Sequence, residues 1–156
     1  GSLGFTDGIG TRAKLAHPLG LSGDRNHLVI VEGSASALRS VAVPEGRINT
    51  LIGQGLYQYG HADGPRQTAM FQHPCAAIVD EAGSAVWIAD AGNARIRRYD
   101  EMTGQLSTLT LGETLLRPSA LALDKESLWI ADSALGHLYR YFFTSEYLAR
   151  IALQGG

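Results

Sequence analysis

The chain has 156 residues and a formal net charge of −2, enough for one domain or part of a longer repeat array. Lysine occurs only at Lys14 and Lys125, and no basic run is denser than Arg95-Ile96-Arg97-Arg98, so nucleic acid is a disfavoured partner. A single cysteine, Cys75, excludes an internal disulfide framework, and no apolar run approaches the roughly 18 residues of a membrane span.

In chain order, Gly1-Ser2 reads as a tag remnant, and a single unit of residues 3–156 follows. Leu3 to His17 carries an Asp7-Gly8 turn, then an Ala, then His17-Pro18. Short apolar runs rich in Val, Ile, Leu and Thr come next, at Leu19–Leu21, Leu28–Val31, Ala37–Val43 and Arg47–Ile52. Such runs, bounded by Gly, Asp, Asn and Pro, predict strands. Tyr59 to His73 then repeats the opening pattern, with Asp63-Gly64, Ala69 and His73-Pro74. Four more strands are predicted at Ala76–Val79, Ala85–Ala89, Ala94–Tyr99 and Gln105–Leu111. Their turns are Asp80-Glu81-Ala82-Gly83-Ser84, Asp90-Ala91-Gly92-Asn93 and Asp100-Glu101-Met102-Thr103-Gly104. The last four fall at Ser119–Leu123, Leu128–Ala131, His137–Phe143 and Tyr147–Leu153. No segment carries a helical period.

The three groups of four align on Pro18, Pro74 and Pro118, then on Glu32, Asp90 and Asp132. Repeats of roughly 40–60 residues with four strands each predict propeller blades. The expected fold is all-β, with three four-stranded antiparallel blades: blade one over residues 15–53, a linker over 54–73, blade two over 74–112 and blade three over 115–155. The run Val86-Trp87-Ile88-Ala89-Asp90, then Asn93-Ala94-Arg95-Ile96-Arg97-Arg98, then Gly104-Gln105-Leu106-Ser107-Thr108-Leu109 resembles the NHL repeat. The inter-blade segment Gly53 to Gly64, followed by Ala69 to Pro74, is most similar to NHL propellers joined to thioredoxin-like domains. Blade one departs from the pattern with Gly33-Ser34-Ala35-Ser36, and the literal Asn26-His27-Leu28 is coincidental because it opens a second strand. No Cys-x-x-Cys is present, so no redox role carries over.

Closed propellers have about 4–8 blades, so three leave an apolar face at each end. The expectation is a head-to-tail homodimer, three plus three blades closing a six-bladed ring. The first Asp-Gly segment, with no outer strand before it, points the same way. Charged residues at 18%, below the roughly 25% usual in soluble domains, also suggest covered surface.

His17, His73 and Arg117 precede the prolines that open the inner strands, near one mouth of the channel. There they are candidate ligand-binding residues, since imidazole binds metals and converging cations bind carboxylate or phosphate. The resemblance adds that one NHL-type lyase of amidated-peptide processing holds a metal with axial histidines. The competing reading is that His-Pro packs the start of each blade. Arg95 and Arg97 share a strand face and are candidate partner contacts, against a salt-bridged outer face. Glu32, Asp90 and Asp132 read as turn acceptors, and Trp87, Trp129, Tyr99, Tyr139 and Tyr141 as packing. Cys75 reads as a small buried residue without a partner base. No nucleophile elbow, dinucleotide fingerprint or P-loop is complete. The sequence thus implies a non-catalytic interaction or ligand-binding module, with no cofactor and no metal assigned. Its partners are itself and a protein or small ligand, and a cytoplasmic location is favoured. The alternatives are a metal-assisted lyase or hydrolase on the axis, and an RNA-binding propeller.

Overall fold

The computed structural model describes residues 3–25, 27–80, 82 and 84–153. Gly1 and Ser2, Asn26, Glu81 and Gly83, and the residues from 154 onward lie outside the described residues. Within them the chain forms three antiparallel sheets. Blade one holds β1 (Gly8–Ile9), β2 (Pro18–Gly23), β3 (His27–Glu32), β4 (Ala37–Ala42) and β5 (Arg47–Ile52), in the order β1-β5-β4-β3-β2. Blade two holds β6 (Gly64–Pro65), β7 (Ala76–Asp80), β8 (Ala85–Asp90), β9 (Arg95–Asp100) and β10 (Gln105–Thr108), in the matching order β6-β10-β9-β8-β7. Blade three is a four-strand meander of β11 (Pro118–Leu123), β12 (Ser127–Asp132), β13 (His137–Phe142) and β14 (Tyr147–Ile151).

The predicted strands are all present, shortened most at β10 and at β14, which ends at Ile151 rather than Leu153, and by one residue at β4 and β13. β10 ends at Thr108 rather than Leu111. Residues 109–117 must carry the chain from the outside of blade two to the inner strand of blade three, and Leu109 and Leu111 turn to pack against the core there. Burial follows position in the stack. Every residue of β8 is buried, because the middle blade is covered on both faces.

Two apolar cores join the blades. Val29, Val31, Leu38 and Ile52 of blade one pack with Phe71, Val86, Ile88, Tyr99 and Leu106 of blade two. On the far side Trp87, Ala89 and Ile96 pack with Leu128, Ile130, Tyr139, Tyr141 and Leu148 of blade three. Phe143 stacks on Trp87 with ring centroids 5.6 Å apart. The inner strands β2, β7 and β11 lie side by side. Val79 N–H donates to Ser22 Oγ at 3.0 Å, bridging the first two. Gly20 permits this approach: a Cβ there would lie 2.8 Å from Val31 Cγ2 and 3.2 Å from Ala76 Cα.

The fifth strands β1 and β6 were not anticipated. Each comes from an Asp-Gly segment and pairs with the outer strand of the blade it leads into, Gly8 opposite Ile48 and Gly64 opposite Leu106. A buried arginine clamps each one. Arg97 donates to Asp90 Oδ2 at 2.6 Å, Asp63 Oδ1 at 2.7 Å, and the carbonyls of Met70 and Ala62 at 3.1 Å. Arg39 repeats this with Glu32, with Asp7 at 2.8 Å, and with the carbonyls of Thr6 and Lys14. Thr50 and Thr108 hydroxyls donate to the same Asp7 and Asp63 carboxylates. Blade three has Tyr139 at the arginine position and no preceding Asp-Gly segment. The first Asp-Gly segment therefore belongs to the blade it precedes, and its place ahead of blade one requires no earlier outer strand.

Candidate functional site at the channel mouth

A proline opens inner strands β2 and β11 and stands two residues ahead of β7, and an acid from the end of the adjoining strand holds the chain just ahead of each proline. Glu32 accepts from Ala16 N–H, Asp90 from Gln72 N–H at 2.8 Å, and Asp132 from Leu116 and Arg117 N–H at 2.7 and 3.1 Å. Asp132 also accepts in its own turn from Ala134 and Leu135, as the sequence reading expected of this position. Glu32 and Asp90 do more than cap turns, since they also pair with the buried arginines. Burial pushes the Asp132 carboxyl up, but four backbone N–H bonds outweigh it and hold the group below its ordinary value. Burial dominates at Asp90 and pushes its carboxyl up, against the bonds from Asn93, Gln72 and Arg97.

These anchors present His17, His73 and Arg117 at equivalent positions, all exposed. Between the first two lies the β3–β4 turn at Gly33. His73 Nδ1 lies 3.1 Å from the Gly33 carbonyl, and His73 N–H donates to Ser36 Oγ. Gly33 N–H donates to the His17 carbonyl, and a Cβ on Gly33 would lie 3.5 Å from His17 Nδ1. Tyr57 N–H reaches the Ser34 carbonyl at 2.9 Å, and the Tyr59 ring stacks on His73 with centroids 6.0 Å apart. Tyr57 and Tyr59 are 67% and 56% exposed, although rings of that size are usually covered.

The backbone here is strained. His17, Ser36, Tyr57 and His73 adopt φ of 62°, 45°, 61° and 47°, the left-handed region that costs a non-glycine residue about 1–2 kcal/mol. Such residues persist where surrounding bonds over-determine them, and they gather at binding and catalytic sites. Tyr57 and Tyr59 escaped the sequence reading because they sit in a linker. The local signal was two tyrosines next to Gly55 and Gly60 in a segment that needed no aromatic for a strand.

The remaining candidates separate. Arg97 is fully buried, its two terminal nitrogens are bonded to Asp90, Asp63, Met70 and Ala62 and its Nε is buried without an acceptor, so it offers no surface to a partner. Arg95, its neighbour but one, is exposed and edges a groove of about 340 Å³ with Glu113 and Leu115. Cys75 is half-buried, its Sγ lies 3.3 Å from the Pro118 carbonyl, and burial pushes its thiol up, away from a nucleophile. Among the described residues no three His, Cys, Asp or Glu side chains converge as metal ligands, and no helix is long and apolar enough to cross a membrane.

No protein-family model matches the chain. NHL repeat-containing protein 2 of Gallus gallus is 33% identical over 113 residues, and that of Homo sapiens is 29% identical over 112 residues; each match covers 70% of this chain. The chain spans about 15% of the length of these relatives. In a nidogen/laminin complex, one chain superposes on 89% of this chain with a TM-score of 0.69 at 14% identity, over 48% of its own length. Virginiamycin B lyase from Staphylococcus aureus does so over 90% of this chain with a TM-score of 0.64 at 14% identity, over 42% of its own length. At such identities these two structures speak for the fold, which is that of β-propellers. Repeat pattern, sequence kinship and fold agree: the chain is a three-blade unit of the NHL-repeat β-propeller family.

Proposed function

We propose that the chain is a non-catalytic interaction module, that its binding face is the channel mouth around Gly33, and that its working form is a homo-oligomer. The observation that carries the binding face is the exposed cluster of Tyr57, His17 and His73, set on left-handed backbone and bonded to Gly33, Ser34 and Ser36, with Tyr59 stacked on His73. Tyrosine presents a large amphipathic surface at small entropic cost, and it is enriched at the centres of protein interfaces. Arg117 adds a cation on the same end of the sheet stack. The partner is a protein segment or small ligand with an apolar group for the rings and acceptors for the imidazoles. A protein complex is also the setting in which the matched chain of the nidogen/laminin structure was solved.

The test is affinity capture by the wild-type chain beside a Tyr57→Ser, Tyr59→Ser, His73→Ala triple variant with an unchanged circular dichroism spectrum. Proteins retained by the wild type and released by the variant support the mouth as the working face. Equal retention by both removes it.

A further inference from the structure

Ala37, Arg95 and His137 hold one place in the three blades: each is paired in register with the acid that ends the second strand, Glu32, Asp90 or Asp132. Blade one fills the space beside this place with carbon. Ala37 is fully buried, and Phe5 and Leu56 pack on its cluster. Leu56 comes from the long connector between β5 and β7. The connector from β10 to β11 is much shorter, and Arg95 stays exposed beside it. The space is left as the groove of about 340 Å³ described above. All of its lining comes from residues 94–95 and 108–115, so its shape does not depend on what stands at either end of the chain.

The groove holds a cation, an acid and apolar carbon. The Arg95 guanidinium donates to the Ala94 carbonyl at 3.1 Å. Among the described residues the arginine ion pairs belong to Arg39, Arg97, Arg98 and Arg140, which leaves Arg95 without a carboxylate. Glu113 lines the same groove and does not pair with it. The Glu113 carboxylate meets the Tyr139 hydroxyl; burial first, and then this carboxylate, pushes the phenol up. A phenol gives one proton, whereas a carboxylate accepts about four bonds, so Glu113 keeps acceptors for a ligand. Leu109, Leu111 and Leu115 supply the apolar lining. Opposite charges that share a cleft without satisfying each other suit a ligand that carries both.

We propose that this groove binds a small zwitterion, an aliphatic α-amino acid or a dipeptide built on one. Its carboxylate lies on Arg95, its ammonium on Glu113 and its side chain on the leucines. Arginine grips a carboxylate with two parallel N–H bonds, and both contacts are charge-assisted. The site is separate from the mouth around Gly33 and stands independently of it.

The experiment is an amide NMR titration of wild type, Arg95→Gln and Glu113→Gln. The probes are L-leucine, L-leucylglycine, N-acetyl-L-leucine, which lacks the ammonium, and L-leucinamide, which lacks the carboxylate. Both substituted side chains are exposed, so the variants are expected to keep the wild-type fold. In the wild type, leucine or leucylglycine should give saturating shifts at residues 109–115, and the tighter of the two identifies the source. Removing either charge from leucine should weaken binding about 10-fold. Arg95→Gln should lose the preference for leucine over leucinamide, and Glu113→Gln the preference for leucine over N-acetyl-leucine. Wild-type spectra that neither zwitterion moves overturn the proposal. So do shifts that map away from the groove, and binding that both variants leave unchanged.

Discussion

Arg39 and Arg97 have no exposed side-chain surface, and a charge so placed persists only where acceptors converge on it. Arg97 has two carboxylates and two carbonyls, and the carboxylates differ: Asp90 is fully buried, while the Asp63 side chain is 48% exposed. The two should therefore contribute unequally. Arg97→Ala strands the buried Asp90 charge and is expected to cost about 3–5 kcal/mol. Asp63→Ala leaves Arg97 paired with Asp90 and returns a half-exposed carboxylate's share to solvent, about 1 kcal/mol. Urea unfolding of both variants reads the difference, and equal costs would contradict the division of labour. The sequence carried the signal for this clamp without making it readable on one blade. A third-strand arginine opposite the second-strand isoleucine and an upstream Asp-Gly occur together in blades one and two, whereas blade three has Tyr139 at that position and no upstream Asp-Gly. Read on a single strand, Arg95 and Arg97 share a face and look alike. Only the pairing of β6 with β10 puts one of them under a strap and leaves the other in solvent.

At the scale of the element, strands and blade boundaries were legible because period-two runs and turn residues act locally. The straps β1 and β6 were not, because two-residue strands leave no periodicity and are stabilised by contacts far along the chain, such as Asp7 with Thr50. The mouth cluster shares that limit: its histidines were marked by the adjoining prolines, but its tyrosines are positioned by a turn more than 20 residues upstream. Blade three tests the strap argument directly. Tyr139 is buried at the position of Arg39 and Arg97, packed in the core shared with blade two. Tyr139→Arg would place there the residue that two sister blades use. It would find Asp132 and Glu113 but no Asp-Gly carboxylate and no strap carbonyls. The expectation is a loss of about 1–3 kcal/mol, from incompletely paired donors in a buried site. A neutral or stabilising outcome by urea unfolding would mean that the arginine does not depend on its strap.

Across the whole molecule the aspartates set the response to acid. Asp7, Asp100, Asp124 and Asp132 all lie below their ordinary value of 3.8. Thr50 and Arg39 outweigh burial at Asp7; the Thr103 backbone N–H leads at Asp100 and the Trp129 indole N–H at Asp124. A carboxyl with a depressed folded value contributes stability that is fully present above the unfolded value and lost as pH falls through the folded one. Asp90, pushed up by burial, runs the other way and offsets part of the loss. With four depressed groups against one raised, the urea midpoint is expected to hold from pH 7 to about 5 and to fall below about 4. A midpoint constant down to pH 3 would contradict this. Asp132 locates the effect, because its carboxylate holds the N–H groups of Leu116 and Arg117 at the mouth of blade three without a buried arginine to share the charge. Asp132→Asn keeps one acceptor and turns a donor toward those N–H groups, so it should cost about 1–3 kcal/mol at pH 7. It also removes a titrating group, so the gap between the pH 7 and pH 3 midpoints should narrow. A variant that loses stability equally at both pH values would show that Asp132 acts by shape, and that the acid response lies with Asp7, Asp100 and Asp124.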